Sequence, residues 1–118
     1  MAGKSINAFN KERKELNTTV MEYSGLSMKR FFSLDSQVYR KGKLSEKTKE
    51  LIGLVSSLVL RCDDCIKYHT IQCYEKGITD NELEEAISIG LIVGGSITIP
   101  HIRKIFKLWK ELKRNAKL

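Results

Sequence analysis

The sequence has little of what would divide the chain or anchor it in a membrane. Its 118 residues include one proline, no stretch rich in serine, glycine or proline, and no segment that repeats at a fixed period. The N-terminal segment lacks an apolar core of the signal-peptide type. The longest apolar stretch, AISIGLIVGGSITI, is too short and too interrupted to span a membrane. We therefore expect one cytoplasmic domain over residues 1–118, with no membrane association.

Positive charge is concentrated at one end of the chain. The formal net charge is +7, and seven of the basic residues lie in the segment 103–118 beside a single acid, Glu111. Apolar residues are expected on the opposite face of this last helix: Ile102, Ile105, Phe106, Trp109 and Leu112. The aromatic rings are thus not interleaved with the charges, as a base-stacking surface would require. We do not expect nucleic-acid binding, and an acidic protein partner fits this segment as well.

Apolar residues recur with helical spacing, and no alternating strand pattern of useful length occurs. We predict an all-α fold that gains from oligomerisation because the chain is small. Helices are expected over about 6–23, 28–39, 46–61, 62–76 and 80–93, and from Pro100 onward. The third helix is expected to be central and largely buried, because its apolar residues, which include Ile52 and Leu60, occupy most of its circumference. Gly77 is expected to end the fourth helix, and the glycines at 90, 94 and 95 to permit close approach of a neighbouring helix or to end the fifth. Two helix starts have clear caps, since Ser45 precedes one helix and Thr79 with Glu82 forms a capping box before another.

The stretch RCDDCIKYHT, residues 61–70, contains the reactive side chains whose spacing is most informative about function. It places Cys62 and Cys65 three residues apart, with His69 four residues after the second cysteine. At 100° per residue these side chains and Cys73 fall into an arc of about 80° on one helix. Three cysteines in a reducing compartment do not form a structural disulfide framework, so the pair indicates a redox or a metal site.

Three interpretations of this stretch stay open from the residues alone. A zinc site would use Cys62, Cys65 and His69 with Glu50 as a fourth ligand. Cys73 lies too far away for that role, about 16 Å from Cys62 along the helix. In the simplest interpretation, the cysteines and the histidine are ordinary buried residues.

The redox interpretation uses the same residues and needs no metal ligand from elsewhere in the chain. A helix N-terminus stabilises a thiolate, and a C-x-x-C pair allows one sulfur to attack while the other resolves the product. Cys65 is the expected attacking thiol and Cys62 the resolving one, because His69 is one turn from Cys65 and can take its proton. Glu50 would complete a relay if its helix packs against this one. Cys73 is most simply a core residue, and His101 a surface or cap histidine.

Together these residues resemble a known family. Glu50, the C-x-x-C pair at Cys62 and Cys65, His69, the join at 77–79 and the run Glu82-Leu83-Glu84-Glu85-Ala86 are similar to the alkylhydroperoxidase D-like branch of the carboxymuconolactone decarboxylase family. The resemblance is strongest over residues 44–112. The family's glutamate twelve residues before the first cysteine and its histidine four after the second both have counterparts here.

The resemblance implies a helical bundle that assembles as a trimer or hexamer and reduces hydroperoxides without a cofactor or metal. By resemblance, Cys65 is the peroxidatic thiol, Cys62 its disulfide partner, His69 the base and Glu50 the outer member of the relay. A dithiol donor, such as a lipoyl or thioredoxin-like protein, would regenerate the pair. Protein-disulfide reduction by the same pair, or a non-catalytic zinc-binding or scaffolding oligomer, are the alternatives. Asp64 stands where some members carry a second histidine, so the proton route is expected to differ.

Overall fold

The structure is a computed structural model that describes the backbone of residues 2–116 and the side chains of residues 5–116. No β-strand occurs within residues 2–116, which confirms the all-α prediction. The helices are α1 (Ala2–Tyr23), α2 (Leu26–Val38), α3 (Glu46–Leu60), α4 (Asp63–Glu75), α5 (Asp80–Gly94) and α6 (Ile99–Ala116). A short 3₁₀ helix, Ser96–Thr98, lies between the last two. Lys117 of the basic segment lies outside the described residues.

The chain divides into two compact units, one ending at Arg40 and one beginning at Lys41. The first unit consists of α1 and α2, joined at Ser24 and Gly25 as the sequence predicted. Helix α2 has no buried residue. The single domain over residues 1–118 stays a prediction.

The second unit contains α3 to α6 and the chemistry-bearing residues. Helix α3 packs against α4 and α5, and α4 packs against α6. The apolar core of this unit consists of Leu54, Leu58, Ile66, Ile71, Cys73, Ile78, Leu83, Ala86, Ile87, Ile105, Leu108, Trp109 and Leu112. Helix α3 is therefore central, as its apolar pattern indicated, and it holds the buried Glu50 against α4.

Two glycines of α5 allow close helix packing. A Cβ atom on Gly90 would lie 2.7 Å from Cδ2 of Leu58 in α3, and one on Gly94 would lie 2.6 Å from Cγ2 of Thr98. Both distances are too short for a real Cβ contact, so only glycine fits without displacing its neighbour. The small residues predicted to permit close approach therefore do so, and α5 also ends there.

The predicted helix starts are confirmed. The Thr48 N–H donates to Oγ of Ser45 at 3.1 Å. At α5 the Glu82 N–H donates to Oγ1 of Thr79 at 3.2 Å, and the Thr79 N–H donates to Oε1 of Glu82 at 2.8 Å, which completes the capping box. Pro100 lies in the first turn of α6, where its missing N–H costs nothing.

The apolar pattern also marked residues that the single chain leaves exposed. Ile52 and Leu60 of α3 are 51% and 77% exposed, and Phe106 of α6 is 39% exposed while Leu108 is buried instead. A hydrophobic pattern records that a side chain favours burial, but not whether its own chain or another one covers it. Helix α3 also ends earlier than predicted, at Leu60, because Arg61 adopts a left-handed backbone conformation with φ 58°.

Candidate active site

The join between α3 and α4 fixes the position of the first cysteine. The Arg61 N–H donates to the Leu58 carbonyl at 3.0 Å, and the Cys62 N–H donates to the Ser57 carbonyl at 3.2 Å. These are the two hydrogen bonds of a Schellman motif, which usually places glycine where Arg61 stands. The backbone of Cys62 is thus bound to the end of one helix while its side chain begins the next.

Cys62 is the N-cap residue of α4. Its Sγ accepts a hydrogen bond from the Cys65 N–H at 3.3 Å, in the position that serine or aspartate usually fills. A disulfide joins Cys62 to Cys65, with the two Cα atoms 5.3 Å apart, within the normal range for a disulfide. Cys65 is exposed and Cys62 is half-buried. The sulfur pair therefore lies at an accessible helix N-terminus.

Glu50 and His69 form a nearly buried pair between α3 and α4. The Nδ1 atom of His69 lies 2.8 Å from Oε2 of Glu50, and the two side chains are 12% and 6% exposed. When Glu50 is ionised its carboxylate only accepts hydrogen bonds, so Nδ1 of His69 is then the donor. Proton exchange between His69 and a thiol then has to pass through Nε2, the nitrogen that can act as a base. Packing of α3 on α4 brings together the two residues that the sequence separates by 19 positions.

Cys73 is a core thiol. It has no exposed surface, and burial, reinforced by the nearby charge of Glu50, raises its pKa to about 12. At neutral pH such a thiol remains protonated and is a poor nucleophile. This environment fits the interpretation of Cys73 as a small buried residue rather than as an additional resolving thiol.

A second histidine–carboxylate pair lies beside the cysteines. Nδ1 of His101, in the first turn of α6, lies 2.8 Å from Oδ1 of Asp63, the residue after Cys62. Lys104 approaches the same carboxylate at 3.7 Å. The hydrogen bond with His101 lowers the pKa of Asp63, and the charge of Lys104 lowers it further. Sequence reasoning missed this pair, because the two residues are 38 positions apart and no spacing rule connects them.

A metal site and a membrane span are both absent from the part of the chain that the structure describes. No group of three histidine, cysteine, aspartate or glutamate side chains within residues 5–116 is arranged to hold a metal ion. The four residues of the zinc hypothesis instead form two pairs, Cys62 with Cys65 and Glu50 with His69. None of the helices within residues 2–116 is long and apolar enough to cross a membrane.

Comparison with known proteins identifies the family. The model of the carboxymuconolactone decarboxylase family matches residues 26–108, which is more than half of the chain. The chain belongs to this family. Among curated relatives in sequence, an uncharacterized protein of the cox locus of Paracoccus denitrificans is 27% identical over 82 residues, covering 70% of this chain and 74% of that one. An uncharacterized protein of Cupriavidus necator is 30% identical over 69 residues, covering 58% of this chain and 61% of the other.

Solved structures of the same family share the fold. A carboxymuconolactone decarboxylase family protein from Thermotoga maritima, described as a candidate for a role in the antioxidative response, is 54% identical, with a TM-score of 0.90 and coverage of 93% of both chains. A family protein from Legionella pneumophila is 22% identical, with a TM-score of 0.81 and coverage of 92% of this chain and 96% of the other. At that identity the second likeness shows the fold alone.

Proposed function

We propose that the protein is a thiol-dependent hydroperoxide reductase of the alkylhydroperoxidase D-like type. The observation that supports this most directly is the accessible Cys62–Cys65 disulfide at the N-terminus of α4, on the helix that carries His69 against the buried Glu50. Two cysteines that can reach disulfide distance, beside a histidine oriented by a carboxylate, have the parts of an activated thiol nucleophile. The description of the Thermotoga relative points in the same direction.

In the proposed reaction, Cys65 attacks the peroxide. His69 takes the thiol proton through Nε2, and Glu50 stabilises the resulting imidazolium through Nδ1. The Cys65 thiolate attacks one oxygen of the O–O bond, which yields a sulfenic acid on Cys65 and an alcohol once the leaving alkoxide accepts a proton from the imidazolium. The Cys62 thiol then condenses with the sulfenic acid, forming the disulfide and releasing water. Cys65 is assigned the attack because it is the more exposed residue of the pair.

A dithiol donor completes the cycle. Its two thiols reduce the Cys62–Cys65 disulfide by thiol–disulfide exchange, transferring two electrons and two protons to the pair. We place this cycle in the cytoplasm, where such donors are kept reduced. A lipoyl or thioredoxin-like protein is the donor that the family resemblance suggests.

The test is peroxide turnover with a small dithiol as donor. We expect Cys65→Ser to abolish turnover, because no thiolate remains to attack the peroxide. Cys73→Ser is the matched control, since it removes the sulfur that burial keeps protonated. Full activity in Cys65→Ser would refute the assignment. Wild-type protein that reduces protein disulfides but not hydroperoxides would favour the alternative, a disulfide reductase.

We further propose that the chain forms a homo-oligomer, a trimer or hexamer. Helix α5 buries one side in the unit but exposes apolar residues on the other, with Ile89, Ile92 and Val93 between 61% and 84% exposed. Ile52 and Leu60 of α3 are exposed as well. A cluster of exposed apolar residues of this kind is typical of an interaction surface, so a second copy of the chain is the occupant we propose for it.

Solution mass tests the oligomer. Light scattering coupled to size-exclusion chromatography should give three or six times 13.5 kDa for the wild type. Ile92→Asp places a charge at the centre of the proposed interface and should reduce the mass to that of a smaller species. Asn81→Asp adds the same charge at the exposed start of α5 and should leave the mass unchanged. A monomeric wild type would refute the proposal.

A further inference from the structure

The outer face of α6 carries a row of exposed positive charges. Arg103, Lys107, Lys110 and Arg114, which we call the basic stripe, are all exposed. Their spacing of four, three and four residues places them within an arc of about 60° and along about 16 Å of the helix. The buried residues Ile105, Leu108, Trp109 and Leu112 lie on the opposite side. The basic stripe therefore faces away from the core along most of α6.

The basic stripe differs from the other basic residues of the same helix. Lys104 and Lys113 form ion pairs with Asp63 and Asp80. By contrast, no residue of the basic stripe forms an ion pair with any side chain that the structure describes. Four like charges at this spacing repel one another, so an acidic surface placed against them relieves repulsion and gains attraction.

The basic stripe begins at the end of α6 that lies beside the start of α4. The contact between His101 and Asp63 holds the first turn of α6 beside the first residue of α4, next to Cys62. Further along both helices, at the end of α4 and the middle of α6, the rings of Tyr74 and Trp109 lie 5.4 Å apart, edge to face. Helices α4 and α6 therefore run side by side in the same direction. Arg103 is the residue of the basic stripe at the end where the disulfide lies.

The geometry points to the basic stripe as the docking surface for an acidic protein that carries the reducing dithiol. This inference rests on the proposed redox function of Cys62 and Cys65 and specifies the partner of that site. A carrier whose acidic face lies along α6 brings its dithiol to the disulfide end. There, one donor thiolate attacks a sulfur of the disulfide and releases the other as a thiolate. The second donor thiol then displaces the first sulfur, so that the donor leaves as a disulfide and the pair as two thiols.

Other occupants fit this surface less well. A second copy docked through the same face would oppose like charges, whereas the exposed apolar residues of α5 offer a separate surface for self-association. Single-stranded nucleic acid needs aromatic rings among the charges. Trp109 is only 5% exposed, and its Nε1 donates to Oδ1 of Asp80 at 2.8 Å, so its ring is held in the core. Phe106, which is 39% exposed, is then the one accessible Phe or Trp ring of α6, whereas a stacking surface uses several rings.

The experiment measures reduction of the oxidised protein by two synthetic peptides. Both carry one dihydrolipoyl-lysine; one has four flanking glutamates and the other has four glutamines. The rate of appearance of free thiols at Cys62 and Cys65 is followed by rapid alkylation and mass analysis, at low and high salt. The stripe variant is Lys107→Glu with Lys110→Glu. The control, Lys41→Glu with Lys43→Glu, makes the same change in net charge on an exposed loop.

We expect the acidic peptide to reduce the wild type about tenfold faster than the amide peptide at low salt, the lower end of electrostatic rate enhancements. This ratio should fall to about one at roughly 0.5 M salt, where the Debye length is only a few ångströms. At low salt the two peptides should reduce the stripe variant at similar rates. With the control variant, the acidic peptide should keep most of its advantage. Dithiothreitol, which is uncharged, should reduce all three proteins at similar rates, which shows that the substitutions leave the intrinsic reactivity of the disulfide unchanged.

Equal rates for the two peptides with the wild type would overturn the docking proposal. So would a rate advantage of the acidic peptide that falls by the same factor in the stripe variant and in the control. Tight binding of a 20-base-pair DNA duplex that competes with the acidic peptide for the basic stripe would also overturn it. Peroxide reactivity is measured separately, by reoxidising the reduced protein with an organic hydroperoxide. The two proposals can therefore fail separately. If docking is wrong, the rate of reoxidation by hydroperoxide can still be fast; if the peroxidase proposal is wrong, the acidic peptide can still reduce the protein faster than the amide peptide.

Discussion

Replacing Glu50 by glutamine isolates the role of its charge. The side chain is almost fully buried, and its Oε2 lies 2.8 Å from Nδ1 of His69, so an amide of the same shape fits the site. The amide can accept a hydrogen bond from Nδ1 through its oxygen, or donate one through its nitrogen. In the second arrangement the histidine proton moves to Nε2, and the imidazole can no longer take a proton from Cys65. The substitution therefore leaves the imidazole of His69 in place but lowers the fraction of it that can act as a base.

The expected loss follows from the two effects of that change. A hydrogen bond to a charged partner contributes about 1.5–3 kcal/mol and a neutral one about 0.5–1.5 kcal/mol, so the imidazolium loses about 1 kcal/mol of stabilisation. General-base catalysis contributes about 10²–10⁴-fold in rate, and part of the protein keeps the productive tautomer. We expect the rate of Cys65 oxidation to fall about 100-fold, equivalent to about 2.7 kcal/mol. The loss of folding stability should be about 1 kcal/mol, or a Tm decrease of about 4 °C.

The assay is stopped-flow oxidation of the reduced protein by an organic hydroperoxide, measured as a function of pH. Glu46→Gln is the matched control on the same helix. Its carboxylate is 48% exposed and pairs with Lys76 at 3.6 Å, so the substitution should change neither rate nor stability appreciably. A Glu50→Gln protein that is folded and reacts at more than half the wild-type rate would refute the assigned role of the pair.

Three further predictions concern residues beside the site. Arg61→Gly should raise the free energy of unfolding, measured by urea denaturation, by about 1 kcal/mol. Glycine adopts the φ of 58° without the steric cost that an L side chain meets there, so a loss of stability would contradict this prediction. Native reduced protein treated with iodoacetamide at about pH 8 should be alkylated at Cys65 long before Cys73, whose pKa burial raises to about 12; equal rates would contradict the assigned burial. Asp63 has a lowered pKa, so its stabilising effect is present above the unfolded pKa near 4 and is lost as the pH falls through the lower folded value. The difference in unfolding free energy between the wild type and Asp63→Asn should therefore narrow below about pH 4. A difference that stays constant with pH would contradict the lowered pKa of Asp63.

The sequence predicted what short-range rules determine. The capping box at Thr79 and Glu82, the cap at Ser45 and the glycine that ends α4 depend on residues within one turn, and all three occur as expected. The proximity of the two cysteines also follows from their spacing on one helix. The left-handed Arg61 could not be predicted in this way, because glycine is the usual residue at that position.

Long-range contacts account for what the sequence left open. The sequence named Glu50 and His69 as candidates, but only the packing of α3 on α4 brings their side chains together. The contact between His101 and Asp63 depends in the same way on α4 lying beside α6. The exposure of Ile52 was mispredicted, because an apolar pattern does not distinguish a core from a surface that another chain covers; Phe106 lies on the predicted apolar face and is partly exposed for the same reason.

The measurement that decides between a peroxide-reactive and an inert cysteine pair is the intact mass of the reduced protein, before and after one equivalent of an organic hydroperoxide. Peptide mapping of all three cysteines assigns the change in mass. We expect the loss of two hydrogens, located in a disulfide between Cys62 and Cys65, with the Cys73 thiol unchanged. A mass that stays the same, or oxidation found only at Cys73, would contradict the proposal that Cys62 and Cys65 form a peroxide-reactive dithiol.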